Sequence, residues 1–441
     1  MNIKDILHSD NKALLKSVLS DYSIYDVCEL ASQLKPADKV TLFRNLDEAK
    51  AANAFSYLSS DDQQAIARHL NDQELMNLIK RMQADDSADF LEDMPENKVD
   101  VLLSYLDSKT RDKVNKLLTY EQETVGSIMN LDYVSLKQEF TVKEAFQKIR
   151  SEGINRETIY TCYVVDDDRK LIGIVSVRDM IMADSNTLIS DLMRKKFVCL
   201  NIDDDQEQAA HVFNKYGLLA LPVVDTNNVL VGIVTFDDVF GVIQEETTED
   251  MQKMAGLTKS DTSYFGKSAW EHAKHRVAWL LALMITSVIS QQIIGSYTSI
   301  IALTPIVAAF IPMLTDTGGN CGSQSSTLII RGMTTDEIKI SDVFKVIWME
   351  LRVALLVAAI LAVVNGLYIY FAYNNQQLAI VVSLSLIVTI IVSKLVGSTL
   401  PILAYKLKLD PAVAASPLIT TVVDIVATLI YFELVSTILV K

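Results

Sequence analysis

Residues 353–393 read VALLVAAILAVVNGLYIYFAYNNQQLAIVVSLSLIVTIIVS, 41 positions without a charge. About 20 apolar residues cross a bilayer as a helix, so the run holds two crossings. The NNQQ near its middle marks the turn between them. Residues 277–315 form a second uncharged run, of 39, with QQIIGSYTS near its middle. A fifth apolar stretch, 417–440, is interrupted only by Asp424 and Glu433. The expected spans are 277–295, 299–330, 346–372, 378–405 and 417–440. The second is too long for one straight helix, and Pro305, Pro312 and the pair Gly318 and Gly319 are expected to break it.

The rest of the chain has a different composition. Of the 55 acids and 40 bases in 441 residues, 271–441 hold nine acids and ten bases, so 1–270 carry a net −16. That describes a soluble acidic head on an apolar membrane domain. Phosphate backbones require a basic footprint, so nucleic acid is excluded as a partner, whereas cations suit the head. The connections 291–299 and 373–377 contain no base. Arg331 with Lys339 and Lys406 with Lys408 lie in the other two, and Lys274 and Arg276 precede the first span. The positive-inside rule therefore places the head and both basic loops in the cytoplasm, and five crossings leave the C-terminus outside. The opening MNIKDILHSD has neither a basic region nor an apolar run, so no signal peptide is expected. Cys28, Cys162, Cys199 and Cys321 are scattered, which reads as reduced thiols rather than a disulfide or zinc framework.

Two repeats organise the head. Leu34, Leu58, Met82 and Leu106 are 24 apart and open similar units: LKPADKVTLFRNL, LSSDDQQAIARHL, MQADDSADFLEDM and LDSKTRDKVNKLL. Fixed-period units of this length predict stacked helices, each burying its apolar face on its neighbours. Asp38, Asp62 and Asp86 fall near the helix starts, where caps are expected. Further on, VVDDDRKLIGIVSVRDMI (164–181) matches VVDTNNVLVGIVTFDDVF (223–240) at an offset of 59, and SIMN at 127–130 pairs with the stretch around Met193 at an offset of 64. Each copy reads as a helix, two β-rich strands around a turn, and a helix. Residues 125–243 thereby resemble a tandem CBS pair. In that family the Gly-x-x-Ser/Thr-x-x-Asp segments can hold an adenosine nucleotide. Here the resemblance carries such a role to Ser176 and Asp179 after Gly173, and to Thr235 and Asp238 after Gly232.

The membrane half holds polar groups that a passive anchor would not need. The second span ends PMLTDTGGNCGSQSSTLIIRG (312–332), and polar backbone at membrane depth is tolerated where it is buried or lines water. Asp424 lies seven residues into the fifth span with Thr420 four positions before it, and a charge there costs about 2.5–3.5 kcal/mol on insertion scales. Lys394 lies deep in the fourth span, so a salt bridge from it to Asp424 is the bland alternative. A carboxylate with amide and carbonyl oxygens, and no His or Cys cluster, is a donor set for a hard cation. Mg²⁺ keeps several waters and needs only one or two carboxylates.

The order of acidic helical domain, CBS pair, acidic connecting helix and five spans resembles the MgtE-type magnesium channels over essentially the whole chain. TGGNCGSQSSTLIIRG (317–332) and LDPAVAASPLITTVVDIVATLIYF (409–432) are the most specific motifs. The resemblance implies an α-helical membrane protein of five transmembrane helices, with a head of an all-α superhelical domain plus an α/β CBS pair. The implied parts are 1–124 (helical repeats), 125–243 (CBS pair), 244–270 (connecting helix) and 271–441 (pore). It implies a pore ion at Asp424 on a homodimer axis, lined also by Asn320. It further implies regulatory Mg²⁺ on Asp85, Asp89, Asp205, Glu207, Asp238, Glu246, Glu249 and Asp250. Gly241 and Ala427 depart from the family pattern, the first where an acid is expected and the second where a glycine is usual.

The expected function is a Mg²⁺ channel of the cytoplasmic (inner) membrane, closed by intracellular Mg²⁺ and open to regulation by ATP. A carrier for Mn²⁺, Co²⁺ or Mg²⁺ and a membrane-anchored nucleotide sensor remain as alternatives. No nucleophile–base constellation is legible, so an enzyme is not expected.

Overall fold

A computed structural model describes residue 7 and residues 12–153, 156–258, 268–335, 337–414 and 416–439. The chain divides into two compact units, Met1–Gln244 and Glu245–Lys441.

The first unit, the head, opens with short helices: α1 (Lys12–Asp21), α2 (Ile24–Ser32), α3 (Pro36–Asn45), α4 (Glu48–Ser56), α5 (Ser60–Ala67), α6 (Asp72–Ile79), α7 (Ala84–Glu92), α8 (Glu96–Tyr105) and α9 (Ser108–Leu117). The 24-residue period is one helix pair, and each helix packs mainly on the next but one: α2 on α4, α3 on α5, α4 on α6. Leu42, Phe55, Ile66, Ile79 and Phe90 are buried along the stack. Phe55 meets Phe43 and Phe90 edge-on, with centroids 6.1 and 5.1 Å apart. Such pairs add about 0.5–1.5 kcal/mol each beyond burial. Asp38, Asp62 and Asp86 occupy the third helical position rather than the cap itself. The caps are Lys35, Ser59 and Gln83, and only Ser59 accepts a side-chain bond, from the Asp62 amide. Asp62 instead pairs with the buried Lys39.

Two three-stranded sheets follow. β1 (Ser135–Lys137) runs parallel to β2 (Thr161–Val165), which pairs antiparallel with β3 (Leu171–Ser176). α10 (Val142–Glu152) lies between β1 and β2 in the chain, and α11 (Val177–Ile181) follows β3. After α12 (Ile189–Leu192), the second copy repeats this as β4 (Leu200–Asn201), α13 (Gln206–Tyr216), β5 (Ala220–Val224), β6 (Leu230–Thr235) and α14 (Phe236–Met254). The short first strand of each copy has too few residues to leave a period in the sequence. The lead-in segments cross over. Asn130, before the first copy, bridges to Ile233 of the second, and Arg194, before the second, bridges to Ile174 of the first.

The second unit begins within α14 and continues with α15 (Ala269–Ser296), α16 (Thr298–Leu303), a 3₁₀ turn (Pro305–Phe310), α17 (Ile311–Thr334), α18 (Val343–Tyr373), α19 (Gln376–Lys406) and α20 (Ser416–Ile438). Among the described residues, α15, α18, α19 and α20 are long and apolar enough to cross a membrane. The remaining expected span, the second, corresponds to α17, of 24 residues, which falls outside that class because of its polar TDTGGNCGSQSS core. The expected break comes at Thr304 and Pro305. Pro312 sits in the first turn of α17, where it costs no hydrogen bond, and Gly318 and Gly319 continue the helix. Tyr431 donates to the Val307 carbonyl (2.8 Å), satisfying backbone that the irregular turn leaves open.

Candidate functional site

Glycines bring α17 into close contact with α19 and α20. A Cβ on Gly397 would lie 2.2 Å from the Gly322 carbonyl oxygen, and one on Gly319 would lie 2.8 Å from Thr420 Cγ2. Small residues allow this approach, which supplies the packing that holds membrane helices together. With one face so committed, α17 presents another to its surroundings. Asp316, Asn320, Gln324, Thr327 and Arg331 are all exposed, at spacings of four, four, three and four. That is a continuous polar stripe along one side of a membrane helix. Asp424, half-buried on α20, is electrostatically coupled to Asp316. The expected pore pair Asp424 and Asn320 thus flanks one seam: Asn320 adjoins Gly319, which touches Thr420, one turn before Asp424. Ala427 is buried one residue short of the next turn, so its methyl is accommodated.

Lys394 does not reach Asp424. Its ammonium lies 3.5 Å from Glu350 Oε2 and 3.1 Å from Ser325 Oγ, in the packed interior. Glu350 sits three residues before the uncharged run, and hydropathy alone could not tie it to Lys394. At the far end of α20, Glu433 accepts a bond from Tyr297 (2.8 Å), whose ring stacks on Phe432 with centroids 4.7 Å apart.

In the head, Asp85, Asp86 and Asp89 on α7 face Asp237 and Asp238 at the start of α14, with Glu157 and Asp132 alongside. Asn130 Nδ2 lies 2.8 Å from Asp85 Oδ2, 3.0 Å from Glu157 Oε2 and 3.1 Å from Gln83 Oε1. Lys113 and Arg156 both pair with Asp132, and Arg156 also pairs with Glu152. Asp85 Oδ1 is buried without a hydrogen-bond partner. Burial and then the Asp85 charge push Asp86 up to about 7, and burial, with Asp85 and Asp237, pushes Asp238 up to about 8 against the Thr235 hydroxyl. Crowding by protein, then Asp85 and Asp86 one turn back on the same helix, raise Asp89 well above the carboxylate range, although its side chain keeps access to solvent that tempers the repulsion. Of the expected sensor residues, Asp85, Asp89 and Asp238 are brought together. Asp86, Asp237 and Glu157 join them, and of these only Asp86, adjacent to Asp85 in the repeat, was signalled by position. Among the described residues, no three His, Cys, Asp or Glu converge closely enough to hold a metal ion. The orphaned Asp85 oxygen and the surplus of carboxylates suit a hydrated divalent cation better than one bound directly by three carboxylates.

The same groups set a pH dependence. Carboxyls raised in the folded state bind protons there that the unfolded chain has lost. Their contribution to stability is full below about 3.8 and is lost as pH rises through about 7 and 8. Without divalent ions, the head is expected to melt at a lower temperature at pH 8 than at pH 5. Asp86→Asn with Asp238→Asn should flatten that slope, and a melting curve that rises with pH would contradict the assignment.

The other expected residues lie elsewhere. Asp205 caps α13 by accepting from the Glu207 amide (2.8 Å), and Glu207 lies 3.8 Å from His211. Glu249 on α14 pairs with Lys253, which also holds Asp410 (2.6 Å) in the connection between α19 and α20. Burial opposes the Lys253 charge, but Asp410 and Glu249 together hold its ammonium above the usual range. Asp250, half-buried and repelled by Asp410, rises to about 6, with Glu246 and Glu249 adding to the effect. A cation at Glu246, Glu249 and Asp250 would therefore share its ligands with an ammonium. Gly241 has open space where a Cβ would stand. In the nucleotide segments, Ser176 accepts from the Asp179 amide (3.0 Å) and Asp179 lies 3.4 Å from Arg194. The buried Thr235 donates to Asp238 (2.5 Å). Gly173 and Gly232 make room for Met193 and Met129, whose sulfurs would lie 2.8 and 2.6 Å from added Cβ atoms. Both glycines thus have a packing reason that requires no nucleotide.

A family model described as a divalent cation transporter matches residues 311–434, the MgtE intracellular N domain matches 22–123, and the CBS domain matches 125–186 and 189–245. The polar-striped helix and Asp424 both fall in the first of these, which places the membrane unit in the class of divalent cation transporters. Magnesium transporters MgtE of Thermus thermophilus and Bacillus subtilis are 33% and 32% identical. The alignments cover 98% and 94% of this chain and 97% and 94% of those proteins. The chain belongs to the MgtE family of magnesium transporters. Among solved structures, the cytosolic domain of the Mg²⁺ channel MgtE in complex with ATP is 34% identical. It matches with a TM-score of 0.52 over 54% of this chain and 98% of its own. The soluble part of a magnesium transporter is 30% identical, with a TM-score of 0.51 over 55% of this chain and 96% of that one.

Proposed function

We propose that this chain is a homodimeric Mg²⁺ channel of the cytoplasmic membrane, with the head inside and the C-terminus outside, closed when intracellular Mg²⁺ binds the head. The observation that carries the reading is the exposed stripe Asp316–Asn320–Gln324–Thr327 beside Asp424. A stripe of this polarity is costly against lipid, and a second copy across a two-fold axis would turn it into a wetted path with paired carboxylates. Residues 1–124 and 125–243 then act as the sensor, 244–270 as the connection, of which 244–254 are the end of α14 and 259–267 lie outside the described residues, and 271–441 as the pore. Mg²⁺ is the cargo in the pore and the regulator in the head. The test is electrical: purified protein in planar bilayers should carry a Mg²⁺ current that follows voltage, whereas saturable exchange without current indicates a carrier. Deleting residues 1–124 should leave the current but raise the Mg²⁺ needed to close it. Closure at the same concentration would remove the helical domain from the sensor role.

ATP is a second ligand of the head in this reading, at Ser176, Asp179, Thr235 and Asp238, favoured by the ATP complex of the 34%-identical cytosolic domain. Asp179→Ala with Thr235→Ala should abolish ATP binding measured by calorimetry on the full chain.

A further inference from the structure

The packed side of α17 carries a charged arrangement that the ion path does not use. Ser325 Oγ lies 2.6 Å from Glu350 Oε2 on α18 and 3.1 Å from Lys394 Nζ on α19, and the two charged groups are 3.5 Å apart. Ser325 is fully buried, Lys394 is 5% exposed and Glu350 is 8% exposed. One hydroxyl thus joins three helices, donating to the carboxylate and accepting from the ammonium. Its alternative acceptor, the Cys321 carbonyl in its own helix, is longer at 3.3 Å.

A buried ion pair is a poor way to gain stability, because its desolvation is repaid only when every partner is in place. It is an effective way to penalise any other arrangement. If α17 rotated or slid, Ser325 would leave the pair. If α18 moved against α19, one charge would be buried alone. At 100° per residue, Ser325 lies about 140° around α17 from the centre of the polar stripe. The pair therefore grips the back of the helix whose front carries Asp316 and Asn320. The Gly322–Gly397 contact, one turn away on α17, fixes the distance between α17 and α19 without specifying rotation, since glycine presents no side chain to engage.

We propose that the Glu350–Lys394 pair, closed through Ser325, is a positioning device that sets the rotation of α17 and so the aim of its polar stripe. This rests on the pore reading above. Three predicted effects separate it from a merely structural role. Ser325→Ala removes a single hydroxyl and should give folded protein at wild-type yield, with the concentration for half-maximal Mg²⁺ flux raised and discrimination against Ca²⁺ reduced, each at least about threefold. Lys394→Met alone, which strands Glu350, should lower the yield of folded protein. Glu350→Met with Lys394→Met should restore the yield without restoring discrimination.

The decisive measurement needs no flux. Single cysteines at Asn320, Gln324 and, as a buried control, Ser326, in a background with all four native cysteines replaced (Cys28→Ser, Cys162→Ala, Cys199→Ser and Cys321→Ala), are labelled with a charged thiol reagent in proteoliposomes. The expected result is rapid labelling at 320 and 324 and slow labelling at 326, with the contrast lost when Ser325→Ala is added. Rapid labelling at 320 and 324 whose contrast with the buried control is unchanged by Ser325→Ala overturns the positioning role while leaving the pore reading standing. Failure of 320 and 324 to label in any background overturns the pore reading, and the proposal with it.

Discussion

Asp424→Asn, inserted and assembled as the wild type, should carry at least about tenfold less Mg²⁺, equivalent to ~1.4 kcal/mol of lost stabilisation along the path. The substitution keeps the side chain's shape and removes one charge. A divalent ion held through one layer of water stands about 5 Å from a carboxylate. At an effective dielectric of about 20, the attraction is several kcal/mol, so the tenfold figure is a floor. Asp316 adds to the local negative charge from the neighbouring helix. Because Lys394 is engaged with Glu350, its ammonium does not stand ready to replace the ion at Asp424. Asp316→Asn should therefore have a smaller effect in the same direction, and Glu433→Gln, at the Tyr297 end of α20, a smaller one still. Uptake by vesicles at matched protein density measures all three. Wild-type flux through Asp424→Asn would remove this carboxylate from the path.

How much of this was legible in the sequence depends on how far apart the partners lie. Charge-free runs, a 24-residue period and a 59-residue offset are local signals, and each corresponds to an architecture in the fold. Asp424 was legible for the same reason: an acid in an apolar stretch needs no partner to be conspicuous. The polar stripe was half-legible. The segment's polarity was plain, but only the packing of Gly318, Gly319 and Gly322 decides which polar residues are left facing outward. The Glu350–Lys394 pair spans two helices and the Lys253–Asp410 pair spans most of the second unit, so neither leaves a pattern in the chain. Gly173 and Gly232 carry two readings at once. The motif that suggests a phosphate cradle also satisfies the steric demand of Met193 and Met129, and a sequence cannot separate the two reasons. Aspartates expected as caps proved to sit at the third helical position, within the first turn, where Asp86 joins the acidic cluster.

The acidic cluster supports the sharpest test of gating. Asp85, Asp89 and Asp238 repel one another across the junction of α7 with α14, and the orphaned Asp85 oxygen has nothing to accept from. Two accounts of closure follow from this geometry. If an ion is needed as a bridge, replacing all three by Asn removes its ligands, and the channel should stay open at Mg²⁺ concentrations about tenfold or more above those that close the wild type. If removing repulsion is enough, the same triple variant should close without Mg²⁺, and acidification toward pH 5, which protonates Asp86 and Asp238, should close the wild type as well. An ion shifts the population only by its differential affinity for the compact state, so the tenfold change corresponds to ~1.4 kcal/mol of that difference. The first outcome is the expected one. Three amides can still hydrogen-bond, but they cannot supply the charge that draws a divalent ion, and the contacts made through its water shell go with it. Glu249 is left out of the variant because its removal would also release Lys253, which holds Asp410 independently of any ion. Currents recorded at fixed voltage, with Mg²⁺ titrated on the head side at pH 8 and at pH 5, distinguish the two accounts. A triple variant that closes at the wild-type concentration at both pH values would take the cluster out of gating altogether.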